Sequence, residues 1–94
     1  IDFSEVDIVT NYLKVLSNPD RLKILCVLVE GELNVQKIEE STDIHQPTLS
    51  QQLTVLRKNN MVSTRREGKQ IFYQVSDPRI LTIMQTLHQL YCAA

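Results

Sequence analysis

Residues 46–58 carry the side chains with the most chemistry to offer: Gln46, Thr48, Ser50, Gln51, Thr54 and Lys58. Among them Leu49, Leu53 and Leu56 recur at i, i+4 and i+7, the spacing of one face of an α-helix. With about 100° of turn per residue, Gln51, Thr54 and Lys58 fall opposite the leucines, and Thr48 and Ser50 lie towards the flanks. A face kept only for solubility would carry more Glu and Lys. Amides and hydroxyls suit a helix laid against base edges and phosphates in the major groove of double-stranded DNA. The pattern predicts a recognition helix, with Gln46, Thr48, Ser50 and Gln51 in the groove and Thr54 and Lys58 near phosphates.

The charge distribution adds to this. The 94 residues carry a net charge of −1, but unevenly. Residues 1–44 hold nine acids against four bases, and residues 45–94 hold six bases against Glu67 and Asp77. Five of those six bases, Arg57, Lys58, Arg65, Arg66 and Lys69, lie within the thirteen residues from Arg57 to Lys69, so the positive charge is concentrated just after the predicted recognition helix. Arg65, Arg66 and Lys69 are therefore assigned to phosphates or the minor groove. A solvated hairpin with incidental charges fits the same distribution.

Other chemistries find little support. Glycine occurs only at positions 31 and 68, so no phosphate-cradling loop exists. Neither cysteine–histidine combination has the third group that a nucleophile site wants. The expectation is a non-enzyme without a cofactor. Cys26 and Cys92 are too far apart in sequence for a zinc motif or a secreted disulfide scaffold. His45 reads as a turn residue or phosphate contact, and His88 as part of a core or dimer surface. There is no run of 18 apolar residues and no signal-peptide pattern, so no membrane partner is expected and a cytoplasmic location is the default. A chain starting at Ile1 suggests a longer parent.

Five helices and a hairpin would position these groups. The first helix spans residues 5–16, with Ser4 as its cap. Asn18-Pro19-Asp20 starts a second, with Leu22, Leu25, Cys26 and Val29 as its buried stripe and Gly31 at its end. The third is brief, capped by Asn34 and running from Val35 to about Glu40. A turn over residues 41–45 then leads to Pro47 at the first position of the recognition helix. After Asn59-Asn60 the period changes. Val62–Arg66 and Gln70–Val75 read as a two-stranded hairpin turning at Glu67-Gly68-Lys69. Pro78 to about Cys92 forms the last helix, capped from the Ser76-Asp77 pair. Its apolar stripe (Ile80, Ile83, Met84, Leu87, Leu90, Tyr91) is wider than a peripheral helix needs. A twin helix across a two-fold axis would cover it; closing only its own core is the alternative. The expected fold is mainly α with a β-hairpin wing: one winged helix-turn-helix domain over residues 1–94, dimerising through the terminal helices.

Four segments in this order, LKVLSNPDRLKIL (13–25), GELNV (31–35), QPTLSQQL (46–53) and RREGK (65–69), resemble the ArsR/SmtB family of bacterial repressors. The resemblance covers nearly the whole chain. It implies a homodimeric repressor that releases operator DNA on a chemical signal. Many members of that family sense metals. The thiolate metal motif would need cysteines where Asn34 and Gln36 stand, and the zinc motif of the last helix finds Asp77 and His88 but Arg79 in place of a histidine. No metal site is expected, and a metal-responsive member is kept as an alternative beside a winged-helix module that binds protein.

Cys26 and Cys92 remain. Each alone reads plainly, Cys26 as a small buried hydrophobe and Cys92 as a chance terminal residue. Together they resemble the arrangement in a subgroup that responds to sulfide and oxidants through one cysteine on each of these helices. That resemblance implies a two-cysteine redox switch, closed by a disulfide or a sulfur-chain bridge, that controls sulfide detoxification genes. Whether the bridge forms within or between subunits is left open.

Overall fold

A computed structural model describes residues 1–92. Three of its helices begin where short polar side chains satisfy orphan backbone donors. Asn18 accepts from the Arg21 N–H at 3.0 Å and opens α2 (Pro19–Leu28). Asn34 accepts from the Lys37 N–H at 2.8 Å and opens α3 (Val35–Thr42). Asp77 accepts from the Arg79 N–H at 2.9 Å and opens α5 (Pro78–Tyr91).

Two helix starts differ from the sequence expectation. Asp2, not Ser4, is the cap: it accepts from the Ser4 N–H at 3.1 Å and closes a 3-10 turn over Phe3–Glu5, so α1 is Val6–Leu16. The predicted recognition helix is α4, Thr48–Lys58, which leaves Pro47 at the cap rather than the first helical position. Pro47 has no side-chain acceptor. Gln46 supplies one instead, its Oε1 accepting from the Ser50 N–H at 3.1 Å and from the Ser50 hydroxyl at 2.7 Å. α3 also runs further than expected. Thr42 donates its hydroxyl to the Ile38 carbonyl at 2.7 Å, and Asp43 then ends the helix in the left-handed region at φ 58°.

The hairpin is β2 (Val62–Glu67) and β3 (Gln70–Val75), one residue longer at β2 than its composition suggests. Glu67 pairs with Gln70, so only Gly68 and Lys69 form the turn, and Gly68 takes the positive φ of 63° that glycine allows. It is not alone. Leu33–Asn34 forms β1, antiparallel to β3 with Leu33 opposite Tyr73 and Asn34 opposite Phe72, giving a three-stranded sheet of order β1-β3-β2. A two-residue strand is too short to show alternation, and Asn34 also serves as the cap of α3. The extra strand gives the hairpin the third pairing that a two-stranded ribbon lacks.

One core holds these elements together. Ile24, Leu25 and Leu28 of α2 meet Ile38 of α3, Leu49, Leu53 and Leu56 of α4, Met61 and Ile80 of α5, all fully buried. The α2 stripe is therefore rotated from the expected one. Ile24, Leu25 and Leu28 face α3 and α4, Leu22 and Val29 are only half-buried, and Cys26 is turned out to the surface. Cys26 follows Leu25 by about 100° of helical turn, enough to carry it off the buried face.

Because α4 is held mainly by its leucines, Leu53→Ala is expected to destabilise the protein by about 2–5 kcal/mol in urea unfolding; a loss under about 1 kcal/mol would mean the helix is anchored otherwise.

Candidate nucleic-acid interface

With Leu49, Leu53 and Leu56 buried, the opposite face of α4 points outward. Gln46, Ser50, Gln51, Thr54 and Lys58 are exposed, and Thr48 is half-buried. Gln46 and Ser50 are paired as described, and Thr54 donates to the Ser50 carbonyl at 2.8 Å. Of the side chains assigned to the groove, Gln46, Ser50 and Gln51 are thus open to solvent and Thr48 is partly covered. Gln52, which the sequence did not single out, lies on the inner flank. It accepts from Arg21 Nη1 at 2.8 Å, while Arg21 Nε donates to the Val15 carbonyl at 2.6 Å. Arg21 thereby ties the end of α1 and the start of α2 to the recognition helix. A lone arginine in a first helical turn gave no sequence signal for that.

His45 belongs to the turn before α4. Its Nδ1 is 3.2 Å from Glu39 and its Nε2 2.9 Å from Asp43, so the bond to Glu39 and the nearby Asp43 carboxylate raise its pKa. On the wing, Arg66 Nε donates to the Gly68 carbonyl at 3.0 Å. Arg65 is bound by Glu32 and Glu67 and lies over the Phe72 ring at 4.5 Å. Among the described residues, no ion pair takes up Lys58, Arg66 or Lys69.

Away from α4 in sequence, Cys26 and Cys92 are both free and exposed thiols. Cys26 opens onto a cleft of about 420 Å³ between α2 and α5, lined by Met84, His88 and Gln89. Its pKa is raised, first by partial shielding from solvent and then by the negative charge Cys92 would carry nearby. Among the described residues no three His, Cys, Asp or Glu side chains gather as a metal site would require. Asp77, the would-be ligand on α5, is buried and already accepts from the Tyr12 hydroxyl at 3.0 Å and from Arg79.

Tyr12 also lines an apolar groove between α1 and α5, again about 420 Å³, with Ile8, Val9, Leu13, Pro78 and Ile83. Leu13 beside it is 57% exposed, and Leu90 and Tyr91 further along α5 are 69% and 81% exposed. Of the apolar stripe read from the sequence, Ile80 and Met84 enter the core, Ile83 and Leu87 are half-buried, and Leu90 and Tyr91 are uncovered within one chain.

A family model described as "Bacterial regulatory protein, arsR family" matches residues 18–64, from the cap of α2 into β2. The chain belongs to the ArsR family of bacterial regulatory proteins. It is 48% identical over 85 residues to the biofilm growth-associated repressor of Xylella fastidiosa (strain 9a5c), covering 90% of this chain and 75% of that one. The crystal structure of the transcriptional repressor BigR from Xylella fastidiosa superposes with a TM-score of 0.92 at 45% identity, covering 97% of this chain and 93% of that one. A possible ArsR-family regulator of Mycobacterium bovis, solved as a homodimeric winged helix-turn-helix DNA-binding domain, superposes with a TM-score of 0.80 at 29% identity, covering 93% and 81%. The fold is thus a winged helix-turn-helix, as the sequence predicts, and the relatives are regulators rather than enzymes. Among the described residues no helix of this ArsR-family chain is long and apolar enough to cross a membrane.

Two measurements follow from the α2–α5 and α1–α5 geometry. Burial pushes Asp77 up, but the Arg79 backbone and side-chain bonds and the Tyr12 bond outweigh it and leave its pKa lowered, while Tyr12 is pushed up to about 12. A lowered carboxyl pKa stabilises the fold above the ordinary carboxyl value of 3.8, and that stability is lost as pH falls through the folded-state pKa. Tyr12→Phe should therefore cost about 1.5–3 kcal/mol at neutral pH, the worth of a hydrogen bond to a charged group. The deficit should narrow in strong acid; a pH-independent deficit would contradict the assignment. For Cys26, the rate of alkylation in Cys92→Ser protein should still be climbing above pH 9, the ordinary thiol value. A plateau below that pH would show that solvent shielding does not raise it.

Proposed function

We propose that this chain is a homodimeric transcriptional repressor that binds double-stranded operator DNA and releases it when Cys26 and Cys92 become bridged. The observation that carries the reading is the uncovered row of hydrogen-bonding side chains on α4, in a chain 48% identical to a named repressor. Gln46, Thr48, Ser50 and Gln51 would meet base edges, and Thr54, Lys58, Arg66 and Lys69 phosphates. The apolar face shared by α1 and α5 would be covered by a second copy, setting the two recognition helices about 34 Å apart, one turn of DNA. The protein would act in the cytoplasm, where thiols are kept reduced and a bridge is a signal rather than a staple.

The exposure of both thiols supports such a switch. A disulfide requires Cα atoms within about 7 Å, so joining Cys26 to Cys92 ties α2, against which α4 packs, to the helix that spaces the dimer. The two thiols give up two protons and two electrons to an oxidant such as a peroxide, which leaves as water. With a persulfide as donor, one thiol first takes a sulfur and releases the donor as a thiol. A second persulfide then accepts the two electrons of the closing step and leaves as a thiol and hydrogen sulfide, giving a three-sulfur bridge. The resemblance to the sulfide-responsive subgroup supports this chemistry and, with it, control of sulfide detoxification genes.

The test is a binding titration on a duplex selected from random sequence by the reduced protein. Reduced protein should bind, peroxide or persulfide treatment should abolish binding, and Cys26→Ser or Cys92→Ser should bind under all conditions. Equal binding before and after treatment would remove the switch. Failure of the reduced protein to select any duplex would remove the DNA-binding reading itself.

A further inference from the structure

Three basic residues near the wing tip read alike in the sequence, but they stand in different surroundings. Arg65 Nε lies 2.9 and 2.8 Å from the two carboxylate oxygens of Glu32, and its Nη2 also reaches that carboxylate. Its Nη1 lies 3.1 Å from Glu67. The guanidinium plane sits over Phe72, its directly opposed neighbour on β3. Two-point contact with a carboxylate matches the fork of a guanidinium, and stacking on an aromatic face holds its plane, so the side chain is fixed at both ends. Its bond to Arg65 lowers the pKa of Glu32, outweighing the loss of solvent around that carboxyl. Arg66 and Lys69 have no carboxylate partner among the described residues.

We infer that Arg65 is a positioning residue: its charge is taken up by Glu32 and Glu67, so it fastens β2 to the segment that leads into β1 and leaves phosphate contact on the wing to Arg66 and Lys69. Glu32 lies in the loop between α2 and β1, on the far side of the sheet order from β2. The pair therefore spans the sheet from edge to edge and sets how the wing leans from the body. A guanidinium with two carboxylates at hydrogen-bond distance displaces no counterions from DNA on binding, because, with two negative groups against it, it brings no free positive charge. Arg66 and Lys69 do bring one.

This rests on the DNA-binding reading above, and the sign of one variant separates it from a direct contact. Binding to the selected duplex is titrated across salt concentrations for Arg65→Gln, Glu32→Gln, the double variant and Arg66→Gln. A clamp requires Arg65→Gln and Glu32→Gln to weaken binding in the same direction, by roughly twofold to fivefold, the worth of an exposed ion pair. The double variant should be no weaker than the weaker single, and all three should keep the wild-type salt slope. Arg66→Gln should flatten the slope by about 0.9 for each phosphate that the arginine neutralises in the wild type. Hydrogen exchange at the β2 and β3 amides should quicken in Glu32→Gln, which retains the arginine. If instead Arg65→Gln flattens the slope while Glu32→Gln tightens binding, Arg65 touches phosphate and the inference is wrong. It is equally wrong if neither variant alters affinity. If the wild-type protein itself binds no duplex, the reading beneath it has failed, and that is seen before any variant is compared.

Discussion

Burial of Leu49, Leu53 and Leu56 against α2 is the constraint on which the remainder of the structure depends. A helix of eleven residues is marginal in water by itself, and most of its stability comes from tertiary packing of one face. Fixing that face in the core leaves the opposite one no choice but solvent or a partner. Everything nearby serves the same placement. Arg21 binds Gln52 on the flank, Gln46 satisfies the first turn, and Thr42 and His45 shape the turn that delivers the chain to it.

The second organising feature is the separation of two kinds of surface. The exposed amides and hydroxyls of α4 adjoin a basic wing, while the exposed apolar surface is concentrated on α1 and α5. One suits a hydrated, charged polymer and the other suits a dry contact. Within the wing the charges divide again. Arg65 is neutralised by its own neighbours and stacked on Phe72, whereas Lys69 stands at the turn with no carboxylate paired to it among the described residues. Counting bases along a sequence treats these residues as equal, although their surroundings do not.

In the proposed switch, the cysteines would connect the two surfaces. Cys26 sits on the outer side of the helix whose inner side holds α4, and Cys92 closes the helix that carries much of the exposed apolar stripe. Any covalent link between them acts on both at once. Because protein interiors are close-packed, the shift that the proposed bridge requires at the α2–α5 contact would reach α4 through Ile24, Leu25 and Leu28.

The sequence by itself determined the local features: the caps at Asn18, Asn34 and Asp77, the leucine register of α4, the glycine turn of the wing and the family to which the ordered segments belong. Each is written in contacts a few residues apart, so periodicity and single residue types suffice to reveal it. Only the tertiary structure decided the features that depend on distant partners. Strand β1 exists because β3 lies alongside it, and two residues carry no period of their own. Cys26 points outward because α3 and α4 select which side of α2 is buried, a rotation that a mixed apolar helix does not announce. Arg65 is clamped because Glu32, thirty-three positions away, is brought to it by the sheet. Spacing reports which face a residue shares with its neighbours in sequence; it carries no record of which side chain the fold will set against it.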